Sequence, residues 1–177
     1  MNMSTDRLLI RDLEMGDLEE IHAFKSDREA NQYTDFATDS LAETKAWLEG
    51  TIYHNELAPR SSHNCAIVLQ ETGEVLGWIG FGSAGEGKQA WGEIDFGYGL
   101  IREHWNHGYM TEALQGMIDF IFAMTDTQSL FGECDANNRA SARVMEKSGL
   151  SLVARYQNEE DDSYTLRYQM TIQEWEG

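Results

Sequence analysis

Hydrophobic and polar positions alternate along residues 91–100, and this pattern predicts a strand. The side chains that point one way are mostly large and apolar: Gly92, Ile94, Phe96, Tyr98 and Leu100. The opposite face combines a tryptophan, two carboxylates and two residues without a side chain: Trp91, Glu93, Asp95, Gly97 and Gly99. Glycine within a strand weakens it unless a bulge or a ligand needs the space. We therefore expect a central strand with its apolar face on the core and a bulge or a ligand against the other face.

A short loop and a helix follow this strand. The helix carries apolar residues three or four positions apart, which form one face: Leu114, Met117, Ile118 and Ile121. Gly108 lies just before the helix, where unpaired backbone N–H groups and the positive end of the helix dipole favour an anion such as phosphate. An ordinary strand–loop–helix connection explains a single glycine equally well, because the multi-glycine phosphate-loop patterns are absent. The loop alone leaves both interpretations open.

The rest of the chain alternates between strand-like and helix-like segments. The predicted strands cover 7–13, 65–70, 75–82, 130–136, 152–157 and 163–171. The predicted helices begin at Gly16–Asp17, at Asp39 or Ser40, at Thr111 and at about Ala140. We expect the second helix to bury Leu41, Leu48 and Ile52 on one face. The strand–helix–strand passage from 91 to 136 predicts a parallel crossover. The fold class is therefore α/β (α+β), with one domain over 1–177, a mixed but mostly antiparallel sheet and flanking helices.

Composition narrows the classes of function. The 177 residues have 41% hydrophobic content, enough for one domain with a real core. The formal net charge of −18 disfavours nucleic acid as a partner and favours cationic partners. The first residues show no signal-peptide pattern, which predicts a cytoplasmic protein. Asp119 interrupts the longest apolar run, at 117–124, so we expect no membrane span and no membrane partner.

The cysteines and histidines give no metal-binding pattern. Cys65 and Cys134 lie in apolar, strand-like runs and are expected to be free buried thiols. His104 and His107 are close in sequence, but no cysteine or acidic cluster completes a ligand set around them. We therefore predict that the protein binds no metal.

Two further stretches are more specific together than either is alone. They are HWNHGYMTEA at 104–113 and NRASARVMEKSGL at 138–150, the second in the register N-x-x-S-x-x-V-x-E-K-x-G-hydrophobic. The pair resembles the GNAT N-acetyltransferase superfamily, and most closely its branch of ribosomal-protein N-terminal acetyltransferases. TDRLLIRDL at 5–13 and TIQEW at 171–175 are similar to the same branch. This resemblance implies a sheet with splayed central strands and acetyl-CoA as the co-substrate in the cleft between them.

The resemblance also implies which residues meet acetyl-CoA. The pantetheine arm would pair with the backbone of the central strand, near Tyr98, Leu100 and Arg102. The pyrophosphate would lie on the loop and helix start, at His107, Gly108, Tyr109, Met110 and Thr111. The sequence departs from the family pattern twice, since Trp105 takes the basic or amide position of the loop and Met110 takes its last small position. Backbone N–H groups do the binding, so we expect function to survive these changes.

The second motif implies further contacts with the cofactor. Asn138 is expected to hydrogen-bond the cofactor or to position the helix, and Ser141 could reach the thioester sulfur. A turn or cap residue and a helix-start hydroxyl explain these two positions without any ligand. Arg143 and Lys147 are candidates to meet the CoA phosphates, although solvated cations on an exposed helix face are an equal alternative.

Acetyl transfer to an amine needs a neutral amine, donors for the oxyanion and a proton for the leaving thiolate. Glu93 is the candidate base because it lies on the central strand near the expected position of the acetyl group, and Asp95 on the same face could also take the proton, directly or through water. A backbone N–H near Leu100 is the candidate oxyanion donor. Ser141 is the candidate acid, with Tyr156 in reserve. Direct attack forms no covalent enzyme intermediate, so no cysteine nucleophile is required.

The acceptor is expected to be a primary amine, either a protein N-terminus or a small basic amine such as a polyamine or an aminoglycoside. The net charge suits all of these acceptors. Acceptor choice should depend on the segments 27–38, 55–63 and 157–163. The alternative function is a non-catalytic acyl-CoA-binding or regulatory module on the same fold. The sequence leaves monomer and homodimer open.

Overall fold

The computed structural model describes residues 1–34, 39–58, 60–83, 92–158 and 162–177. The strands are β1 (Asn2–Ser4), β2 (Leu8–Asp12), β3 (Ser62–Leu69), β4 (Val75–Ser83), β5 (Glu93–Leu100), β6 (Ser129–Asp135), β7 (Ser151–Gln157) and β8 (Tyr164–Thr171). The helices are α1 (Leu18–Lys25), α2 (Leu41–Glu56), α3 (Tyr109–Met124), α4 (Arg139–Lys147) and α5 (Ile172–Glu176). Trp91 and parts of the segments 27–38, 55–63 and 157–163 lie outside the described residues.

The eight strands form one sheet in the spatial order β1-β2-β3-β4-β5-β6-β8-β7. Within the described ranges, only β5 and β6 run parallel, which confirms the predicted crossover through α3. The other neighbours are antiparallel. β8 lies between β6 and β7, so the final hairpin joins the sheet through its second strand. The expected mixed, mostly antiparallel α/β fold is confirmed.

The sheet opens between its two halves. β5 pairs with β6 only over Glu93–Asp95 and Ser129–Phe131. Beyond these residues β5 remains paired with β4 as far as Leu100, and β6 remains paired with β8 as far as Asp135. The two strands therefore separate, and β5 has no strand partner on that side over residues 96–100 in the described part of the chain. The predicted splayed central strands are confirmed.

Two apolar layers cover the two faces of the sheet. The larger layer lies under α3 and α4 and includes Ile94 and Leu114, both fully buried. The smaller layer lies under α1 and α2 around Ile21 and Leu48, which are also fully buried. This arrangement confirms the face assignment of β5, since its apolar residues pack toward α3.

The predicted start of α2 is confirmed, but its predicted buried face is partly wrong. The Ser40 hydroxyl accepts a hydrogen bond from the Glu43 N–H, and the Glu43 carboxylate accepts one from the Ser40 N–H, which forms a capping box. Leu41, however, is 53% exposed, whereas the buried residues of α2 are Thr44, Leu48 and Thr51. Leu41 is the first residue of α2. The spacing of apolar residues shows which face of a helix is buried, but it does not show over which turns that face is covered by the rest of the protein.

The cysteines, the potential metal ligands and the apolar helices complete the description of the fold. Cys65 and Cys134 are buried free thiols, as predicted. The described residues contain no group of three or more histidines, cysteines or carboxylates placed to hold a metal ion. None of the described helices combines the length and apolar character needed to span a bilayer. The short elements β1 and α5 were missed, because three or five residues carry too little periodicity to detect.

Candidate active site

The cleft between β5 and β6 begins where their pairing ends, at Asp95 and Phe131. Phe96 fills the narrow end, because a Cβ added to Gly132 would lie 2.5 Å from its ring. The Phe96 ring also stacks on Tyr98, with 6.2 Å between the ring centroids. The narrow end is thus closed by apolar side chains, and polar groups meet farther along the cleft.

Tyr98 extends across the cleft from β5 to α4. Its hydroxyl oxygen lies 2.9 Å from Ser141 Oγ and donates to the Ser141 carbonyl oxygen at 3.2 Å. Burial raises the pKa of Tyr98 well above its ordinary value, although the hydrogen bond with Ser141 opposes that shift. Burial also raises the pKa of the Cys134 thiol to about 11, again against a hydrogen bond with Ser141. Tyr98, Ser141 and Cys134 therefore bring three protonated O–H or S–H groups together at neutral pH.

Asn138 fixes the start of the helix that carries Ser141. It is the N-cap of α4, and its side-chain Oδ1 accepts a hydrogen bond from the Ser141 N–H at 3.1 Å. A capping asparagine satisfies one of the unpaired N–H groups of a helix start. Of the two roles expected for Asn138, the structure shows the one that positions the helix.

The loop between β5 and α3 contains two left-handed residues just before a helix start. The indole N–H of Trp105 donates to the Leu100 carbonyl oxygen at 2.9 Å, which ties the loop to the end of β5. Asn106 and Gly108 are left-handed, with φ angles of 64° and 79°. Turns with left-handed residues are able to form concave nests of backbone N–H groups that bind anions, and this turn leads directly into the N-terminus of α3. Sequence reasoning missed Asn106, although asparagine is among the few residues that tolerate this conformation.

The other residues predicted around the pyrophosphate follow this loop. The rings of His107 and Tyr109 stack, with 5.6 Å between centroids. Met110 is buried in the large core, so its bulk points away from the backbone N–H groups that begin α3. Thr111 is half-buried in the first turn of α3. The unusual Met110 is therefore compatible with an anion at this helix start.

The three basic residues predicted near the cofactor have different surroundings. The Arg102 guanidinium forms an ion pair with Asp27 at 3.0 Å and a second one with Glu29. Its side chain thus links the end of β5 to the segment after α1 and is not directed at the loop. Arg143 and Lys147 are exposed on α4, which agrees equally with phosphate binding and with solvation.

Glu93 belongs to a second cluster, which is centred on Arg167 of β8. Arg167 Nη2 donates to Glu93 Oε1 at 2.9 Å, and Arg167 Nη1 lies 3.4 Å from Glu133 Oε1. The Arg167 guanidinium also lies over the ring of Phe131, 3.4 Å from its centroid. Burial and a hydrogen bond with Glu133 raise the pKa of Tyr156 to about 12. This cluster lies on the face of β5 opposite to the Tyr98 side chain.

The structure therefore divides the four predicted catalytic residues between two places. Asn138 and Ser141 meet on α4 beside the cleft. Glu93 and Tyr156 lie in the arginine cluster, with Glu93 at the closed end where β5 and β6 still pair. Tyr98 was predicted only as a backbone contact, yet its hydroxyl is the nearest partner of the Ser141 hydroxyl. The sequence pattern did place the Tyr98 side chain on the core-facing side of β5. The distance between its hydroxyl and that of Ser141 depends on how far β5 and α4 are apart, which the sequence does not show.

The glycine face of β5 is covered by α1. A Cβ added to Gly99 would lie 2.2 Å from Phe24 Cζ, and one added to Gly97 would lie 3.4 Å from the edge of Trp78. Our expectation that a bulge or a ligand needs the space at Gly99 is wrong, because the Phe24 ring occupies it. Carbon atoms ordinarily meet at about 3.5–4.0 Å, so only glycine allows this approach.

Comparisons with known proteins agree with this geometry. A family model described as the acetyltransferase (GNAT) domain matches residues 7–151. An uncharacterised N-acetyltransferase of Bacillus licheniformis, p20, is 29% identical over 144 residues, which cover 80% of this chain and 77% of that protein. Among solved structures, RimL, a ribosomal alpha-N-protein acetyltransferase in complex with coenzyme A, superposes with a TM-score of 0.82 and 18% identity, covering 97% of this chain and 98% of its own.

A second solved structure is the spermidine N-acetyltransferase of Vibrio cholerae in complex with CoA and spermine. Its TM-score is 0.79 at 16% identity, with 98% of this chain and 100% of that chain covered. At these identities the structural likeness shows a shared fold. The family model is stronger evidence for the family than the structural likeness is, because it matches most of the chain, from the first residue of the predicted first strand to the start of β7. The chain therefore belongs to the GNAT acetyltransferase family and is an acyltransferase.

Proposed function

We propose that this protein transfers an acetyl group from acetyl-CoA to a primary amine by direct attack. One observation carries the proposal: β5, whose edge is unpaired where it leaves β6, leads into a left-handed loop at the start of α3, which is a candidate anion site. An acyl-CoA matches both parts, because its pantetheine arm contains amides that can pair with a free strand edge. Its pyrophosphate suits a helix N-terminus.

The residues present fit this co-substrate. Over residues 96–100 no strand of the described chain pairs with the β6-facing edge of β5, so this edge can hydrogen-bond an extended arm, except at the Leu100 carbonyl, which accepts from Trp105. The first three N–H groups of α3, at Tyr109, Met110 and Thr111, have no acceptor within the helix and are available to a phosphate. When bound, acetyl-CoA would supply the activated thioester carbonyl. A backbone N–H on the β6-facing edge of β5 would donate to that carbonyl oxygen as it gains charge.

Ser141 is the proposed acid for the leaving thiolate. Its hydroxyl lies at the cleft and shares a hydrogen bond with Tyr98. Tyr98 holds this hydroxyl in place, while its own O–H donates to the Ser141 carbonyl oxygen. The sulfur leaves as a thiol with the proton of Ser141, and Ser141 regains a proton from solvent. A donor of this kind contributes roughly 10²–10⁴ to the rate of a proton-transfer step.

Glu93 is the proposed base for the amine. Its carboxylate is held by Arg167, which fixes its orientation and offsets its charge. It would take the amine proton through water, because Glu93 lies where β5 and β6 still pair. An α-amine has a pKa near 7.7–8.0, whereas a lysine-type amine titrates near 10.4, so a base of modest strength suffices for the first and matters more for the second.

The proposed acceptors are a protein N-terminus or a small basic amine. RimL and the spermidine acetyltransferase share the fold and between them represent both classes. The net charge of −18 supports a cationic acceptor of either kind. Asp27 and Glu29 add acidic groups near the end of β5, although Arg102 neutralises part of their charge.

Release of CoA, measured with a thiol reagent, tests the proposal. The acceptor panel contains peptides with free N-termini, polyamines and aminoglycosides, with N-terminally blocked peptides as matched controls.

A thermal melt tests binding of the co-substrate. Acetyl-CoA at about a hundredfold over Kd should add roughly 2.7 kcal/mol to the free energy of unfolding. Release with one amine class and not with the blocked peptides supports the proposal. No thermal shift and no release would overturn it, and a shift without release from any amine would favour the non-catalytic acyl-CoA-binding module.

A further inference from the structure

The segment before β2 is attached to the first turn of α3. The Thr5 hydroxyl donates to Glu112 Oε1 at 2.6 Å, and the Arg7 backbone N–H donates to the same oxygen at 2.8 Å. The Arg7 side chain adds a third bond, from Nε to Glu112 Oε2 at 2.7 Å. A carboxylate with donors on both oxygens holds its partners in one orientation. Arg7 is therefore placed at the start of α3 by contacts that span more than half of the chain.

The Arg7 guanidinium also touches the anion-binding loop. Nη1 donates to the His107 carbonyl oxygen at 3.2 Å, and the guanidinium lies 4.6 Å from the centre of the Tyr109 ring. Nη2 lies 3.6 Å from the position that a Cβ on Gly108 would occupy. Nη2 makes no hydrogen bond to any residue in the described part of the chain, and the side chain is 46% exposed. The Nη2 group of the guanidinium is thus free to donate, and it faces the left-handed turn just before the N-terminus of α3.

The negative charge of Glu112 at this helix start has to be offset by a cation if an anion is to bind there. Glu112 lies in the first turn of α3, close to where an anion would bind. Burial raises its pKa, but hydrogen bonds from Thr5 and Arg7 outweigh burial and hold the pKa below its ordinary value, so the carboxylate is ionised at neutral pH. A negative side chain stabilises a helix N-terminus but repels a phosphate placed there. Arg7 offsets this repulsion and leaves one nitrogen free.

We propose that Arg7 is a binding residue for the donor, and that its Nη2 donates to the phosphate groups of acetyl-CoA at the start of α3; this inference rests on the proposed function. Arginine suits the role because its planar fork can hold a carboxylate on one side and a phosphate on the other. The flexible point charge of a lysine would not satisfy Glu112, the His107 carbonyl and a phosphate together.

The first experiment compares acetyl-CoA affinity among matched variants by calorimetry. Arg7→Gln should weaken binding by about tenfold, as expected for losing a charge-assisted hydrogen bond at an exposed site, and Arg7→Lys should recover part of the loss. Arg11→Gln is the control, because Arg11 also pairs with a carboxylate, Asp17, but lies away from the loop. It should leave affinity unchanged. A wild-type affinity for Arg7→Gln would overturn the proposal.

The second experiment separates phosphate contact from neutralisation of Glu112. The double variant Arg7→Gln/Glu112→Gln removes both charges. It should remain about tenfold weaker than Glu112→Gln alone if Nη2 touches phosphate. Equal affinities of these two variants would refute direct contact.

An acetyl donor without phosphates distinguishes phosphate binding by Arg7 from a purely structural role of Arg7, because a structural role would affect both donors alike. With S-acetylpantetheine, kcat/KM should be the same for Arg7→Gln as for wild type, whereas with acetyl-CoA it should fall about tenfold. An equal fall with both donors would overturn the inference. A wild type that binds no acetyl-CoA would overturn the proposed function as well, whereas normal binding with an insensitive Arg7→Gln variant would remove only this inference.

Discussion

Gly99→Ala should destabilise the protein through the contact between β5 and α1. The added Cβ would lie 2.2, 2.4 and 3.0 Å from three ring atoms of Phe24, which is 5% exposed. Because carbon contacts are ordinarily about 3.5 Å or longer, the ring must move by more than about 1 Å. Overpacking of a filled core costs about 1–3 kcal/mol. At about 2–4 °C per kcal/mol for a chain of this size, the melting temperature should fall by roughly 2–12 °C.

Thermal melts and denaturant unfolding without ligand measure this effect. Gly97→Ala is the matched control, since Gly97 is on the same face of β5 and its added Cβ would meet Trp78 at the ordinary distance of 3.4 Å. It should lose clearly less stability. The double variant Phe24→Leu/Gly99→Ala should lose less than the sum of the single losses, because a smaller side chain leaves room for the methyl group.

A different result would show that the space beside Gly99 serves a ligand. If Gly99→Ala melts like wild type and loses only acetyl-CoA binding or turnover, the steric argument from Phe24 is refuted. If the double variant shows no coupling, the clash is relieved elsewhere and the contact does not explain the glycine.

Three further predictions concern the site. Gly108→Ala should cost about 1–2 kcal/mol because φ is 79°, and it should also weaken acetyl-CoA binding; Gly73→Ala, with φ of 77° in the β3–β4 turn, should cost a similar amount and leave binding intact. Ser141→Ala should lower kcat by on the order of 10² with unchanged acetyl-CoA affinity, and wild-type kinetics would remove Ser141 from the mechanism. Glu93→Gln should lower turnover by about tenfold or more at pH 7, with recovery at alkaline pH where the amine is neutral. Glu133→Gln is the control, because it removes the other carboxylate that pairs with Arg167. Its turnover should not show this recovery at alkaline pH. Identical pH profiles of turnover for the two variants would argue against Glu93 as the base.

Much of the fold could be read from the sequence because it depends on local patterns. The period of two along β5 assigned its faces, and the spacing of apolar residues located α3. The Ser40 capping box set the start of α2. These features need only a few neighbouring residues, so the sequence alone was sufficient. The two motifs likewise indicate the family, since their registers are local.

The tertiary structure decided the contacts that make up the site. Arg167 meets Glu93 across 74 positions of the chain, and this pairing depends on β8 lying beside β6. The Tyr98 hydroxyl meets Ser141 only because β5 and β6 separate and α4 closes over the gap. Phe24 occupies the space beside Gly99 because α1 crosses that strand. Local periodicity fixes which way a side chain points, but the order of strands and the packing of helices determine what it meets.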